Sequence, residues 1–156
     1  LLLFKKTRKV GMGVIASLVF AAILGLLGKH FIARPRPFMT HEDILSWAKS
    51  MMIDLGDSES FPSGHTLMTM AAMTIFFIYG NKKYSWTSFI VVFLVGFSRL
   101  YLLQHYPTDI IGGILFGLVG AILGWLTVKL VYYILEKYDN KFFKFILNFN
   151  CGIKEK

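Results

Sequence analysis

The sequence predicts an all-α, polytopic membrane helical bundle of four spans plus an N-terminal stub, with an amphipathic helix on its outer face. Three observations carry that prediction. Of 156 residues, 55% are hydrophobic and the mean hydropathy is +0.58, a balance seldom met in a soluble domain of this size. Four apolar runs approach the length of about 20 residues that crosses a bilayer. The basic residues gather at alternate ends of those runs, as the positive-inside rule requires of a chain that crosses several times.

The first run, Val10 to Leu27, follows Lys5, Lys6, Arg8 and Lys9, which places its start in the cytoplasm. Ahead of it, Leu1 to Phe4 reads as the stub of a fifth span. With no initiator methionine, the chain is expected to be N-terminally incomplete. The run leads into Lys29, His30 and then Arg34-Pro35-Arg36-Pro37, where two prolines stop the helix and extend the chain at the outer surface. Taken alone, Lys29, Arg34 and Arg36 are explained equally well by snorkelling to lipid headgroups. Thr40 to Leu55 carries Ile44, Trp47, Ala48, Met51, Met52 and Leu55 at helical spacing, with Asp43, Lys49, Ser50 and Asp54 opposite. This is an amphipathic helix too short and too charged to span, expected to start on a Thr40 N-cap and to pack on the bundle or lie in the outer interface. His30 and His41 have no partner at ligand spacing and read as surface histidines.

The second run, Leu67 to Tyr79, is short and is expected to borrow residues at its ends. Phe61-Pro62-Ser63-Gly64-His65 precedes it. Ser63 is placed to cap, Gly64 lets backbone approach a ligand, and the free N–H groups of a helix start attract anions. A capping serine and a glycine are also ordinary structure. Lys82 and Lys83 follow the run, and the third, Trp86 to Leu103, ends in Ser98-Arg99 and then His105-Tyr106-Pro107-Thr108-Asp109. Pro107 forces a break, with one helix ending near Gln104 and the next beginning near Thr108. His105 lies in that joint, where Asp109 is in reach of one ring nitrogen and the other is left for chemistry. Arginine, histidine and aspartate at the mouth of an apolar run cost several kcal/mol unless partnered, so they mark a site.

The fourth run, Ile110 to Tyr133, holds Gly113 with Gly117 and Gly120 with Gly124 at four-residue spacing, a pattern that close helix packing explains. Trp86, Tyr132, Tyr133 and Tyr138 suit an interfacial belt on the cytoplasmic face. From about residue 136 the tail is expected to be cytoplasmic, with Phe142, Phe145, Ile146 and Phe149 forming one stripe of an inner-leaflet surface helix. The net charge of +8 does not point to nucleic acid, because the excess lies at the cytoplasmic ends. The opposite side sets Lys29, Arg34, Arg36, Lys49 and Arg99 against six carboxylates and carries a net charge of −1. One cysteine, Cys151, allows no internal disulfide.

With that topology the polar stretches share one face of the membrane. Lys29, Arg36 and Arg99 supply cations, the helix start after Ser63 supplies N–H donors, and His65 and His105 flank the anion between them. A phosphate monoester, with about −1.5 to −2 charges and three acceptor oxygens, asks for such partners. The chain resembles the type 2 phosphatidic acid phosphatase superfamily, whose three-part signature is matched in order. Lys29 is followed after six residues by Arg36-Pro37; Pro62-Ser63-Gly64-His65 comes next; Ser98-Arg99 is followed by His105 and Asp109.

The resemblance implies one integral-membrane phosphatase domain over residues 1–156, normally with six transmembrane helices in the membrane branch. It implies that Lys29, Arg36 and Arg99 bind phosphate, aided by Ser63 and the Gly64 amide. His105 would be the nucleophile, Asp109 would orient it, and His65 would protonate the leaving alkoxide. No metal or other cofactor enters that scheme, and no carboxylate cluster in the sequence suits magnesium. The substrate would be a membrane lipid phosphate or diphosphate, such as phosphatidic acid, phosphatidylglycerol phosphate or undecaprenyl diphosphate. It would be hydrolysed through a phosphohistidine at the extracytoplasmic side of the cell membrane. The alternatives are a non-catalytic lipid-phosphate binding or transport protein, and a vanadium-dependent haloperoxidase, which the four apolar spans disfavour.

Overall fold

The computed structural model describes residues 7–40, 42–50 and 59–137, and every regular element within them is an α-helix. In chain order these are α1 (Arg8–Ile32), α2 (Pro37–Thr40), α3 (Glu42–Ser50), α4 (Gly64–Tyr79), α5 (Lys82–Ser85), α6 (Thr87–Tyr101) and α7 (Pro107–Lys137). Three helical stretches, Arg8–Thr40, Lys82–Tyr101 and Pro107–Lys137, are long and apolar enough to cross a membrane, and Gly64–Tyr79 is shorter. At 1.5 Å per residue α4 rises about 24 Å, less than a full hydrocarbon core. The four runs read from the sequence are therefore α1, α4, α6 and α7.

Their ends differ from expectation in ways the backbone explains. The first helix runs on to Ile32 and carries Lys29 and His30 in its last turn, because Ala33, not the prolines, ends it. Ala33 adopts a left-handed conformation (φ 43°) and its N–H returns to the Lys29 carbonyl. Pro37 then opens α2, a position where its missing N–H costs nothing. Thr40 consequently closes that turn, with Oγ1 donating to the Pro37 carbonyl at 2.8 Å, instead of capping the amphipathic helix. The amphipathic helix appears as α3, which packs on α2. At the other joint α6 stops at Tyr101, three residues before the expected end, and Leu103 turns left-handed (φ 51°) to bring the chain back. The N-terminal stub, His41, Met51 to Leu55 and the tail from Tyr138 onward lie outside the described residues.

Helix α4 is the hub, packing against α1, α6 and α7. Helix α7 lies close to both α1 and α4 because its glycines present bare backbone. A Cβ on Gly117 would come within 2.6 Å of the Leu67 carbonyl oxygen, and one on Gly124 within 2.5 Å of the Ser17 nitrogen. The glycine spacing thus serves helix packing, as expected. Ala21, Leu67 and Ala71 form the sealed centre, with Met68 and Phe116 against it. The outward faces stay apolar: Phe31, Phe93, Phe97, Ile111 and Leu130 are all exposed, as a lipid solvent permits. The antiparallel order puts the C-terminal ends of α1 and α6 beside the N-terminal ends of α4 and α7. The basic residues Arg8, Lys9, Lys82, Lys83 and Lys137 fall at the opposite end.

Candidate active site

Four helix ends meet around an open cavity of about 430 Å³ lined by Lys29, Arg36, Gly64, His65, Met68, Thr69 and His105. Three segments far apart in sequence therefore reach one volume. Lys29 comes from the last turn of α1, and its Nζ donates to the Glu59 carbonyl at 2.6 Å. Arg36 follows from the stretch between the prolines. Gly64 and His65 form the first turn of α4, where backbone N–H groups have no helical acceptor. A Cβ built on Gly64 would meet no atom within 4 Å, so packing does not require glycine there.

His105 sits in the joint between α6 and α7 and is only 5% exposed. Its Nδ1 lies 2.8 Å from the Ser60 carbonyl oxygen. A carbonyl only accepts, so Nδ1 carries the proton and the lone pair of the neutral ring is on Nε2. Burial, then the nearby Arg36 charge, pushes the imidazole down to about 4, against smaller upward pulls from the Ser60 bond and Asp109. At neutral pH His105 is an uncharged base.

Asp109 does not hold His105 in the manner the sequence indicates. Its Oδ2 is 3.6 Å from Nδ1, beyond hydrogen-bonding distance. That oxygen instead accepts from the Tyr106 N–H at 2.8 Å, capping the start of α7, while Oδ1 accepts from Arg34 Nη1 at 3.1 Å. The Asp109 carbonyl also receives the Ser63 N–H at 3.0 Å, tying the start of α7 to the start of α4.

Ser63 and Arg99 stand beside the cavity and are absent from its lining. Ser63 does occupy the N-cap position of α4, but it makes no side-chain cap; its Oγ accepts from the Thr66 hydroxyl at 3.1 Å. Arg99 is oriented by its own helix end, with Nε 3.3 Å from Ser98 Oγ and Nη1 3.1 Å from Gln104 Oε1. Its charge, like that of Arg36, bears on His65, which is exposed at the mouth. His30 is exposed on α1, edge-on to Phe31.

Several contributors escape sequence reasoning. The Ser60 acceptor is a backbone atom and leaves no side-chain signal. Gln104, buried beside His105, is a polar residue in an apolar run and was detectable on that ground. Met68 and Thr69 follow His65 by three and four positions, the helical offset that shares its face.

Comparison with known proteins gives concordant results. The sequence model of the PAP2 superfamily matches residues 10–139. An undecaprenyl-diphosphatase from Sulfolobus acidocaldarius is 34% identical over 133 residues, covering 83% of this chain and 59% of that protein. A lipid A 4'-phosphatase from Porphyromonas gingivalis is 33% identical over 138 residues, covering 85% and 57%. A glucose-6-phosphatase 3 from Mus musculus is 32% identical over 139 residues, covering 77% and 39%. The chain thus spans little more than half the length of the first two relatives. No solved structure gives a significant match. The match takes in all three motif segments and the helices whose ends bring them to one cavity: the chain is a multi-pass membrane protein and belongs to the PAP2 superfamily.

Proposed function

We propose that the protein is a lipid phosphate phosphatase that hydrolyses a phosphate monoester or diphosphate through a phosphohistidine. The observation that carries this reading is the pairing of two histidines with Lys29 and Arg36 around one cavity, one histidine being neutral and held in a single tautomer. Binding alone needs the cations; it does not need a nucleophile facing an acid. The undecaprenyl-diphosphatase and lipid A phosphatase relatives support a lipid substrate.

In the proposed reaction the phosphate sits between Lys29, Arg36 and the first amides of α4, with Arg99 adding charge from behind. The His105 Nε2 lone pair attacks phosphorus as the bond to the leaving oxygen breaks. His65, at the mouth, gives its proton to that oxygen. Water then attacks the phosphohistidine, His65 takes the proton released, and inorganic phosphate leaves with His105 restored. In this reading the charge facing the phosphate is that of the basic side chains Lys29 and Arg36, which line the cavity. The basic ends away from the cavity support an extracytoplasmic site in the cell membrane.

The test is phosphate release by purified full-length protein in detergent from phosphatidic acid, phosphatidylglycerol phosphate and undecaprenyl diphosphate. Release from at least one, abolished with the acid-labile phosphoenzyme in His105→Ala, is expected. Tight binding of these lipids without release would favour the non-catalytic alternative.

A further inference from the structure

We propose that Arg34 is the positioning residue of the nucleophile: it occupies Asp109, so that the neutral Ser60 carbonyl and not the carboxylate sets the His105 tautomer. What His105 does is taken from the function proposed above.

Arg34 grips both sides of the joint that carries His105. Its backbone carbonyl accepts the Ser60 N–H at 2.8 Å, and the Ser60 carbonyl in turn accepts from His105 Nδ1 at 2.8 Å. One peptide thus fixes the acceptor that fixes the ring. Its side chain crosses to the first turn of α7, where Nη1 donates to Thr108 Oγ1 at 2.6 Å and to Asp109 Oδ1 at 3.1 Å. The guanidinium lies over the Tyr106 ring, 3.9 Å from its centroid, on the residue directly after His105. The left-handed Ala33 that ends α1 delivers the chain to these contacts. Arg34 does not line the cavity, so it acts through its partners.

The charge placement gives the clamp a chemical consequence. Asp109 is fully buried, and a buried carboxylate requires a partner. The charges that bear on His105 are Arg36, Asp109 from α7 and Lys29 from α1; from α4 the titratable group at the cavity is His65, which burial, then Arg99 of α6 and Arg36, hold below the ordinary imidazole range. Of these only Asp109 favours the imidazolium. With Arg34 in place, the carboxylate is spent on guanidinium and on the Tyr106 N–H. Without it, the buried carboxylate has the imidazole 3.6 Å away as its next cation.

The experiment follows the His105 ring by NMR of 15N-histidine-labelled full-length protein in detergent, alongside kinetics of phosphate release. In Arg34→Gln, His105 should titrate higher by about one unit. The kcat and KM should fall together, kcat by at least about tenfold, with kcat/KM within about threefold of wild type. Adding Asp109→Asn to Arg34→Gln should return the titration to the wild-type position or below it, because the charge responsible is gone. Arg34→Lys keeps a cation for Thr108 and Asp109 but no plane over Tyr106. It should leave the titration unchanged and lower kcat with KM unmoved, and it carries the test should the glutamine variant not fold. An Arg34→Gln protein with wild-type titration, or an Arg34→Lys protein altered in KM alone, overturns the assignment. Absence of phosphate release from wild type would refute the proposed function, whereas the NMR titration still decides the clamp.

Discussion

Acidification is the sharpest probe of the proposed nucleophile, because burial, then Arg36, hold the His105 imidazole at about 4 in place of an ordinary 6.5. At pH 5 a ring of that kind is about 90% neutral, whereas an unperturbed histidine is only about 3% neutral. If neutral His105 is the attacking base, kcat/KM at pH 5 should keep most of its value at pH 7. A histidine of ordinary basicity would lose about 25-fold over the same interval. The sign is fixed by chemistry: the proton occupies the lone pair that attacks phosphorus, so activity is present above the folded value and lost as pH falls through it. Stability follows the same direction, since the unfolded chain binds the proton more readily; between pH 7 and pH 5 folding should lose about 2 kcal/mol from this group. The second ionisation of a phosphate monoester lies near 6 and would itself bend the profile, so the limb must be read twice. One reading is kcat/KM against pH; the other is the 15N shift of His105 in protein without substrate. An unliganded His105 titrating near 6.5 refutes the account of how burial and Arg36 set this group.

Three further outcomes test separate parts of the site. Gly64→Ala places a methyl where no atom lies within 4 Å, so the thermal midpoint should hold or rise, while vanadate inhibition and kcat/KM weaken by about tenfold because the amide is screened from the phosphate. Ser60→Ala removes a buried Oγ that has no hydrogen-bond partner among the described residues and keeps the carbonyl that holds His105; activity should be retained and stability unchanged or improved by up to about 1 kcal/mol, as measured by phosphate release and thermal unfolding. In a Cys151→Ser background, a cysteine at Ser58 should react with an impermeant thiol reagent on intact cells and one at Asn81 should not, the reverse pattern inverting the proposed orientation.

The spans were legible because lipid-facing helices must be apolar for their whole length, and Val10 to Leu27 or Ile110 to Tyr133 admit no other reading. Their ends were less so. The prolines drew attention as helix stops, yet Ala33 and Leu103 end the helices in left-handed conformations that neither residue type advertises. The convergence of Lys29, Arg36, Gly64, His65 and His105 was legible from spacing plus topology, since each had to sit at the same end of a span. What could not be read was the division of labour among acceptors. The break at Pro107 was legible, and Asp109 in the first turn after it was expected to reach back to His105, but its carboxylate is taken by the Tyr106 N–H and Arg34. A backbone carbonyl supplied by Ser60, 45 residues earlier, took the role instead. Arg34 had been equally well explained as a snorkelling side chain; only its distances to Thr108 and Asp109 separate the two readings.

That substitution of acceptors fits the proposed two-step reaction better than a directly bonded carboxylate would. A carboxylate hydrogen-bonded to Nδ1 stabilises the imidazolium and raises the basicity of the ring, which favours attack by the neutral form and slows loss of the phosphoryl group in the second step. A carbonyl fixes the same tautomer while adding no full charge. With the ring buried, Arg36 and Lys29 facing it and Asp109 engaged elsewhere, His105 stays a weak base. A weak base is a poorer nucleophile per neutral molecule, but nearly all of it is neutral at pH 7, and it departs readily when water attacks the phosphohistidine. In the proposed reaction the cations that add to burial in depressing its basicity are also those that draw the phosphate to it, so binding and turnover would be set by one arrangement of charge. On this view any change that hands Asp109 back to His105 should slow breakdown of the phosphoenzyme more than its formation, and trapped phosphohistidine should accumulate in the steady state.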